Sequence, residues 1–266
     1  MLYTKRTFDY EHDLKEADVA LLGIPWDSTE TGKSVKHGPL FIREAIRNMP
    51  GRDPESGNNP FGKLKFCDLG DLEVVPGSWD LTKERIRDTV SEMFSTNGKV
   101  FPVFLGGDHL ITLGILDSLP HEKITVVYFD AHRDLLADWM GNPYVHITWA
   151  HHIINNPRFD LIQVGCRSWS EEEDKLIDRL KDISDNIDNP IYITVDMDVF
   201  DPGFAPDVGT PEPCGLAPDD FLKTLKTVCK NRVIGLDIVE CASDRVNTPT
   251  ATLAAYVIKK ALAYRF

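Results

Sequence analysis

The sequence has few cysteines, and their arrangement excludes a zinc site built from closely paired thiolates. The 266 residues include five cysteines, an odd number, and no two of them follow a CxxC spacing. Widely spaced, unpaired cysteines indicate reduced thiols, which are typical of cytosolic proteins. The five are Cys67, Cys166, Cys214, Cys229 and Cys241.

Long apolar runs and positive charge are also scarce. No apolar run approaches the ~20 residues of a membrane span. The opening segment MLYTKRTFDYEHD lacks the apolar stretch of a secretory signal, so we expect a cytoplasmic protein that does not enter a membrane. The 29 Lys and Arg residues face 42 Asp and Glu, which gives a net charge of −13. Because the phosphate backbone of nucleic acids binds Lys and Arg side chains, we expect no nucleic-acid partner. The acidic excess is compatible with a cationic substrate or with bound multivalent metal ions.

Seven short apolar runs alternate with amphipathic stretches along the chain. Most runs are apolar throughout, which is typical of parallel strands covered on both faces. The runs are 17–25, 63–70, 99–107, 123–130, 159–165, 191–196 and 232–240. Helical patterns occupy 39–48, 81–95, 109–116, 146–154, 170–182, 218–229 and 249–264. This alternation predicts one α/β domain over residues 1–266, with a mostly parallel sheet of seven or eight strands.

Acids and histidines follow three of the apolar runs directly. Ligands of such sheets bind at the carboxyl ends of the strands, and residues two apart on a strand point the same way. Four clustered carboxylates would raise one another's pKa unless cations neutralised them. Mixed oxygen and imidazole ligands suit Mn²⁺ or a related metal. The sequence therefore predicts a site for two divalent ions among His109, Asp130, His132, Asp134, Asp196 and Asp198.

Each of these segments has a simpler explanation when taken alone. GGDH (106–109) reads as a strand-to-helix turn capped by Asp108. An Asp-x-Asp followed by Asp-Pro is common turn chemistry. The coincidence of three strand ends with six candidate ligands in one domain favours the metal site over three separate turns.

Four segments taken together resemble the signature segments of the ureohydrolases, which include arginases, agmatinases, guanidinobutyrases and formimidoylglutamases. They are GGDH (106–109), FDAHRDL (129–135), TVDMDVFDP (194–202) and GLDIVE (235–240). The resemblance runs from GIPWDS (23–28) through HGPLFIREA (37–45) to PTATLAAYVIKKAL (249–262), nearly the full chain. It implies a three-layer α/β/α fold with an eight-stranded, mostly parallel sheet, two Mn²⁺ ions, and a homo-oligomer, either a trimer or a hexamer.

The resemblance also implies roles for individual residues. One manganese would be held by His109, Asp130, Asp134 and Asp196, and the other by Asp130, His132, Asp196 and Asp198, so that Asp130 and Asp196 bridge the pair. A hydroxide between the metals would attack the guanidinium carbon. His146 matches the family's proton-shuttling histidine, although Ile147 follows it where Gly or Ser is usual. Glu240 matches the carboxylate that grips the substrate guanidinium, and Asp134 belongs with these two in the catalytic set.

The loop 201–216 most resembles the agmatinase branch, although Asp207 and Cys214 replace glycines of that pattern. The stretch after Asp134 contains Trp139, Met140 and Tyr144 and offers little to bind an amino-acid head group. The expected reaction is hydrolysis of agmatine to urea and putrescine, a step of polyamine biosynthesis. Arginine, guanidinobutyrate and formimidoylglutamate remain alternative substrates. Two further alternatives are a binuclear metallophosphoesterase, whose GNHE and GHxH motifs are absent, and a non-catalytic metal-binding homologue.

Overall fold

A computed structural model describes residues 12–29, 31–184 and 186–266, and these residues form one sheet of seven strands, all parallel. The strands are β1 (Val19–Ile24), β2 (Phe66–Asp71), β3 (Phe101–Gly106), β4 (Ile124–Phe129), β5 (Phe159–Val164), β6 (Ile191–Asp196) and β7 (Val233–Val239). Their order across the sheet is β2-β1-β3-β7-β6-β4-β5. Each apolar run of the sequence matches one strand, although β2 extends one residue beyond its run. The alternation of the sequence allowed seven or eight strands and the family resemblance implied eight, whereas the described residues contain seven.

Helices cover both faces of the sheet, which confirms the expected α/β/α layering. The helices are α1 (Gly38–Asn48), α2 (Pro60–Lys63), α3 (Trp79–Thr96), α4 (Ile111–Ser118), α5 (Trp149–Ile154), α6 (Pro218–Val228) and α7 (Pro249–Arg265). Residues of α1, α6 and α7 share one apolar core, and residues of α3, α4 and α5 share the other. Strands β1, β3, β4 and β6 are buried at every position, since each lies between two such layers. None of the described helices has the length and apolar character needed to cross a membrane.

The sequence signals for helix starts operate as expected at several positions. Pro39, Pro218 and Pro249 lie in the first turns of α1, α6 and α7, where a missing N–H costs nothing. The helical pattern over 170–182 yields only a 3₁₀ segment, Glu173–Arg179. The Glu173 side chain turns inward there and accepts a hydrogen bond from the Leu135 backbone N–H at 3.0 Å. This contact joins the segment to the chain that follows Asp134.

The motif-bearing strands are neighbours in the middle of the sheet. Strands β3, β7, β6 and β4 lie side by side although they are far apart in the sequence. The register pairs Phe129 with Val195, so that Asp130 and Asp196 leave adjacent strands at the same level. Asp196 in turn pairs with Val239, directly before Glu240. The topology therefore brings the acids and histidines of four motifs to one edge.

Candidate metal centre

His109 lies at the centre of a first cluster of carboxylates. Its Nδ1 atom is 3.0 Å from Asp130 Oδ2, 3.3 Å from Asp196 Oδ2 and 3.4 Å from Asp134 Oδ2. Ligand atoms of His109, Asp130 and Asp134 all lie close enough together to hold one metal ion. All four side chains are buried.

His132 forms a second cluster that shares Asp130 with the first. Its Nδ1 atom is 2.9 Å from Asp198 Oδ2 and 3.6 Å from Asp130 Oδ1. Asp130, His132 and Asp198 form a second group with the spacing of metal ligands. The two oxygens of Asp130 thus face different histidines. This arrangement fits two adjacent cations with one carboxylate between them.

Backbone N–H groups orient the carboxylates of both clusters. Asp130 Oδ1 accepts from the His132 N–H at 2.6 Å, and Asp196 Oδ1 accepts from the Asp198 N–H at 2.8 Å. Asp198 Oδ1 accepts from the Ala131 N–H at 3.0 Å, which links the ends of β4 and β6. Each bond fixes one oxygen and leaves the other facing a histidine. The Asp-x-His and Asp-x-Asp spacings therefore also serve to preorganise the site.

Several polar atoms at the centre have no ordinary hydrogen-bond partner. Among the described residues, none makes a hydrogen bond of good geometry with the buried His109 Nδ1 or Asp130 Oδ2 atoms. Burial and the charge of Asp130 raise the pKa of Asp134, while burial and the charge of Asp198 raise that of Asp196. The two raised pKa values indicate excess negative charge in a buried site of low dielectric constant. Bound cations would satisfy the free atoms and offset this charge.

Glu240 lies beside the first cluster in a constrained conformation. Its backbone has φ +60°, a left-handed value that is rare for residues other than glycine and clusters at functional sites. Its Oε1 atom accepts from the His109 N–H at 3.0 Å. The Oε2 atom faces Gly209, where an added Cβ would lie 3.3 Å away. One carboxylate oxygen is therefore fixed by a hydrogen bond, and the other lies beside Gly209, which has no side chain.

His146 opens a short 3₁₀ segment, His146–Thr148, that precedes α5. Burial and the positive charges of His109 and His132 lower the pKa of His146 to about 4. Its Nδ1 atom is buried and has no hydrogen-bond partner among the described residues. His151 and His152 are held elsewhere, since their rings contact the carbonyl oxygens of Leu135 and Pro143. Of these three histidines, His146 is the one with a ring nitrogen that is both buried and without a hydrogen-bond partner among the described residues.

The two replaced glycines of the loop 201–216 are accommodated differently. Cys214 adopts φ +60°, so this backbone keeps the left-handed conformation that a glycine would supply. Asp207 is fixed through its backbone, which donates to Thr250 Oγ1 at 2.9 Å and accepts from the Ala242 N–H at 2.8 Å. The loop is thus tied to the segment that follows Glu240.

A hydroxyl and carboxylate network behind His109 was not anticipated from the sequence. His109 Nε2 lies 2.9 Å from Thr194 Oγ1, and Thr194 donates to the buried Asp237. Asp237 also accepts from Thr112 at 3.0 Å and from Tyr192 at 2.8 Å. The signal available in the sequence was that Thr194 lies two positions before Asp196 and so shares its side of the strand.

Comparisons with known proteins agree with this geometry. The arginase family matches residues 17–263. The chain is 33% identical to the N(1)-aminopropylagmatine ureohydrolase of Thermococcus kodakarensis, with 97% of this chain and 95% of that protein covered. It is 32% identical to the agmatinase of Pyrococcus horikoshii, with 97% and 96% covered. The crystal structure of the agmatine ureohydrolase of Thermoplasma volcanium superposes with a TM-score of 0.85 at 30% identity, covering 100% of this chain and 95% of that one.

The fold, the paired His and Asp clusters and these matches define the class of protein: the chain belongs to the arginase family. The ureohydrolase resemblance is thereby confirmed. More particularly, the chain is a hydrolase that acts on the C–N bonds of guanidino compounds. This replaces both the metallophosphoesterase and the non-catalytic alternatives.

Proposed function

We propose that the protein is a manganese-dependent agmatinase that hydrolyses agmatine to urea and putrescine. The observation that carries the proposal is the pair of His/Asp clusters joined at Asp130, with Glu240 bonded to the His109 backbone beside them. The names of the relatives at 30–33% identity support a substrate of the agmatine type. We further propose that residues 1–266 form one ureohydrolase domain. The protein would be cytoplasmic and would assemble into a trimer or hexamer.

Six side chains would hold the two ions. His109, Asp130, Asp134 and Asp196 would bind one, and Asp130, His132, Asp196 and Asp198 the other. This set of carboxylate oxygens and imidazole nitrogens suits Mn²⁺ better than it suits a thiolate-preferring metal. When bound, a pair of divalent ions lowers the pKa of water to near neutrality and so provides a nucleophile.

Glu240 would orient the substrate. Its anchored Oε1 leaves Oε2 to accept N–H bonds from a guanidinium, a planar cation that pairs well with a carboxylate. Burial and the charges of Asp196 and Asp108 raise the pKa of Glu240. A bound guanidinium would therefore be favoured, since it offsets negative charge in a buried site.

His146 would move the proton that the reaction requires. Burial lowers the pKa of His146, which favours the uncharged imidazole, the form that can accept a proton. We propose that it takes a proton released by the attacking water and then delivers it to the leaving amine, which must be protonated to depart as putrescine. The unpaired Nδ1 is available for such a relay.

The substrate assignment is tested with a panel of guanidino and amidino compounds. The purified protein, loaded with Mn²⁺, would be assayed by product chromatography on agmatine, arginine, guanidinobutyrate and formimidoylglutamate. N¹-aminopropylagmatine is included because a relative that carries this name is 33% identical. We expect the highest kcat/KM on agmatine. Turnover confined to arginine would overturn the agmatine assignment, and a clear preference for N¹-aminopropylagmatine would replace it with the longer polyamine.

A further inference from the structure

Trp149, the first residue of α5, contacts two side chains of the first cluster at once. Its indole Nε1–H donates to Asp134 Oδ2 at 2.8 Å. Its ring stacks on the imidazole of His109, with centroids 4.6 Å apart and planes 27° from parallel. The side chain is fully buried. This role could not be predicted from the sequence, because a tryptophan on a short helix normally indicates core packing.

The backbone around Asp134 makes its side chain dependent on such a contact. Asp134 has φ +56°, a conformation that a non-glycine residue keeps only when its surroundings enforce it. The Asp134 carbonyl accepts from the His151 N–H at 3.3 Å, so the first turn of α5 binds the backbone as well as the carboxylate. The helix start therefore holds Asp134 at two points.

The imidazole of His109 is likewise enclosed on two sides. Thr194 Oγ1 contacts its Nε2 edge at 2.9 Å, and the indole of Trp149 covers one face. Only Nδ1 is left toward the carboxylates, where it has no hydrogen-bond partner of good geometry among the described residues. Tyr128 packs edge-on against Trp149, with ring centroids 5.3 Å apart, and restricts the indole in turn.

We infer that Trp149 is a positioning residue for the metal cluster of His109, Asp130 and Asp134, and that it acts on only one of the two proposed ions. This inference rests on the proposed function, because it requires that the clusters bind metal. Trp149 contacts Asp134 and His109, which belong to the first cluster. The second cluster consists of His132, Asp198 and the shared Asp130. Residues that orient metal ligands commonly contribute 10–100-fold to metal affinity.

The variant Trp149→Phe tests this, because it keeps an aromatic ring beside His109 and removes the N–H donor. Its matched control is Trp79→Phe, since Trp79 is also buried and its Nε1 has no partner among the described residues. Calorimetric titration of the metal-free proteins with MnCl₂ should show one binding step weakened roughly tenfold or more in Trp149→Phe. The other step should stay within about twofold, and Trp79→Phe should leave both unchanged.

Two single-site backgrounds identify the affected ion. In Asp198→Asn, which retains the first cluster, adding Trp149→Phe should weaken the remaining step. In Asp134→Asn, which retains the second cluster, it should have no effect. Paramagnetic Mn²⁺ should also quench tryptophan fluorescence through Trp149, and this component should vanish in Trp149→Phe but persist in Trp79→Phe. Should Phe prevent folding, benzothienylalanine at position 149 keeps the indole shape without the N–H.

The outcomes distinguish a failure of the proposed function from a failure of the role assigned to Trp149. If the unaltered protein binds no Mn²⁺, the proposed function fails. If it binds two ions and Trp149→Phe binds them with the same affinities, only the positioning role is refuted. Equal weakening of both steps, together with a lower melting temperature of the metal-free variant, would reduce Trp149 to a packing residue and also overturn the inference.

Discussion

Asp130→Asn should abolish stabilisation by metal, because Asp130 is common to the two three-residue clusters and is, with Asp196, one of the two carboxylates proposed to bind both ions. Asparagine has nearly the same volume and its carbonyl oxygen can still accept the His132 N–H that now bonds Asp130 Oδ1. The change therefore removes a shared negative ligand with little effect on packing. Asp198→Asn removes a ligand of the second cluster alone and provides the comparison.

The size of the effect follows from linkage. An ion that binds only the native state stabilises it by about 2.7 kcal/mol when its free concentration is 100 times the Kd. Two ions then contribute about 5.4 kcal/mol, one ion about half of that, and none nothing. For chains of this length about 1 kcal/mol moves the melting temperature by 2–4 °C. The metal-induced shift should therefore be roughly 10–20 °C for the unaltered protein, roughly 5–10 °C for Asp198→Asn and near zero for Asp130→Asn.

The assay is thermal unfolding of each variant in EDTA and in MnCl₂ at about 100 times the weaker Kd, with metal content measured in parallel. Asp108→Asn serves as the control, because Asp108 is fully buried on the same loop as His109 but lies outside both clusters. It should retain the full shift. A shift for Asp130→Asn as large as that of Asp198→Asn would refute the shared-ligand geometry.

Three further predictions concern separate parts of the molecule. Glu240→Gln should lower kcat/KM on the guanidino substrate by about 10–100-fold at unchanged metal content, since a charged hydrogen bond is lost. Lys260→Met should destabilise the fold by about 3 kcal/mol in urea unfolding, because it leaves the buried Asp53, 2.9 Å from Lys260 Nζ, without its cation. Lys226→Met, on an exposed pair, should cost under about 1 kcal/mol. Burial alone would raise the pKa of Asp53, yet the hydrogen bonds from Ser56 and Lys260 outweigh burial and lower this pKa. The contribution of Asp53 to stability is therefore present above about pH 4 and is lost as the pH falls through its lowered native-state pKa. In Asp53→Asn the urea midpoint should accordingly depend less on pH between about pH 5 and pH 3.

Each of these has a clear contrary result. Loss of metal from Glu240→Gln would make Glu240 part of the metal site rather than a substrate contact. Equal costs for Lys260→Met and Lys226→Met would show that the buried pair adds nothing beyond a surface pair. An Asp53→Asn variant as acid-sensitive as the unaltered chain would place the acid response elsewhere.

Local patterns in the sequence predicted most elements but not every detail. Apolar runs bounded by turns located all seven described strands. The signal was clearest for β1, β3, β4 and β6, because a strand buried on both faces must be apolar throughout. The helix over 170–182 was overestimated, since the inward bond of Glu173 to Leu135 is a tertiary contact that periodicity does not reveal. In α7 the apolar face was visible, but the burial of Lys260 was not, because its partner Asp53 lies 207 positions away.

The sequence by itself determined the class of fold and the set of candidate ligands. Strand ends followed by Asp and His residues at spacings of two make a metal site the economical explanation, and this depends only on local geometry. The tertiary structure alone decided that β3, β7, β6 and β4 are neighbours, and thus which oxygen faces which histidine. It also placed Trp149 on His109 and Asp134, and Thr194 with Asp237 behind them. Those contacts join residues far apart in the chain, so no local pattern could have encoded them.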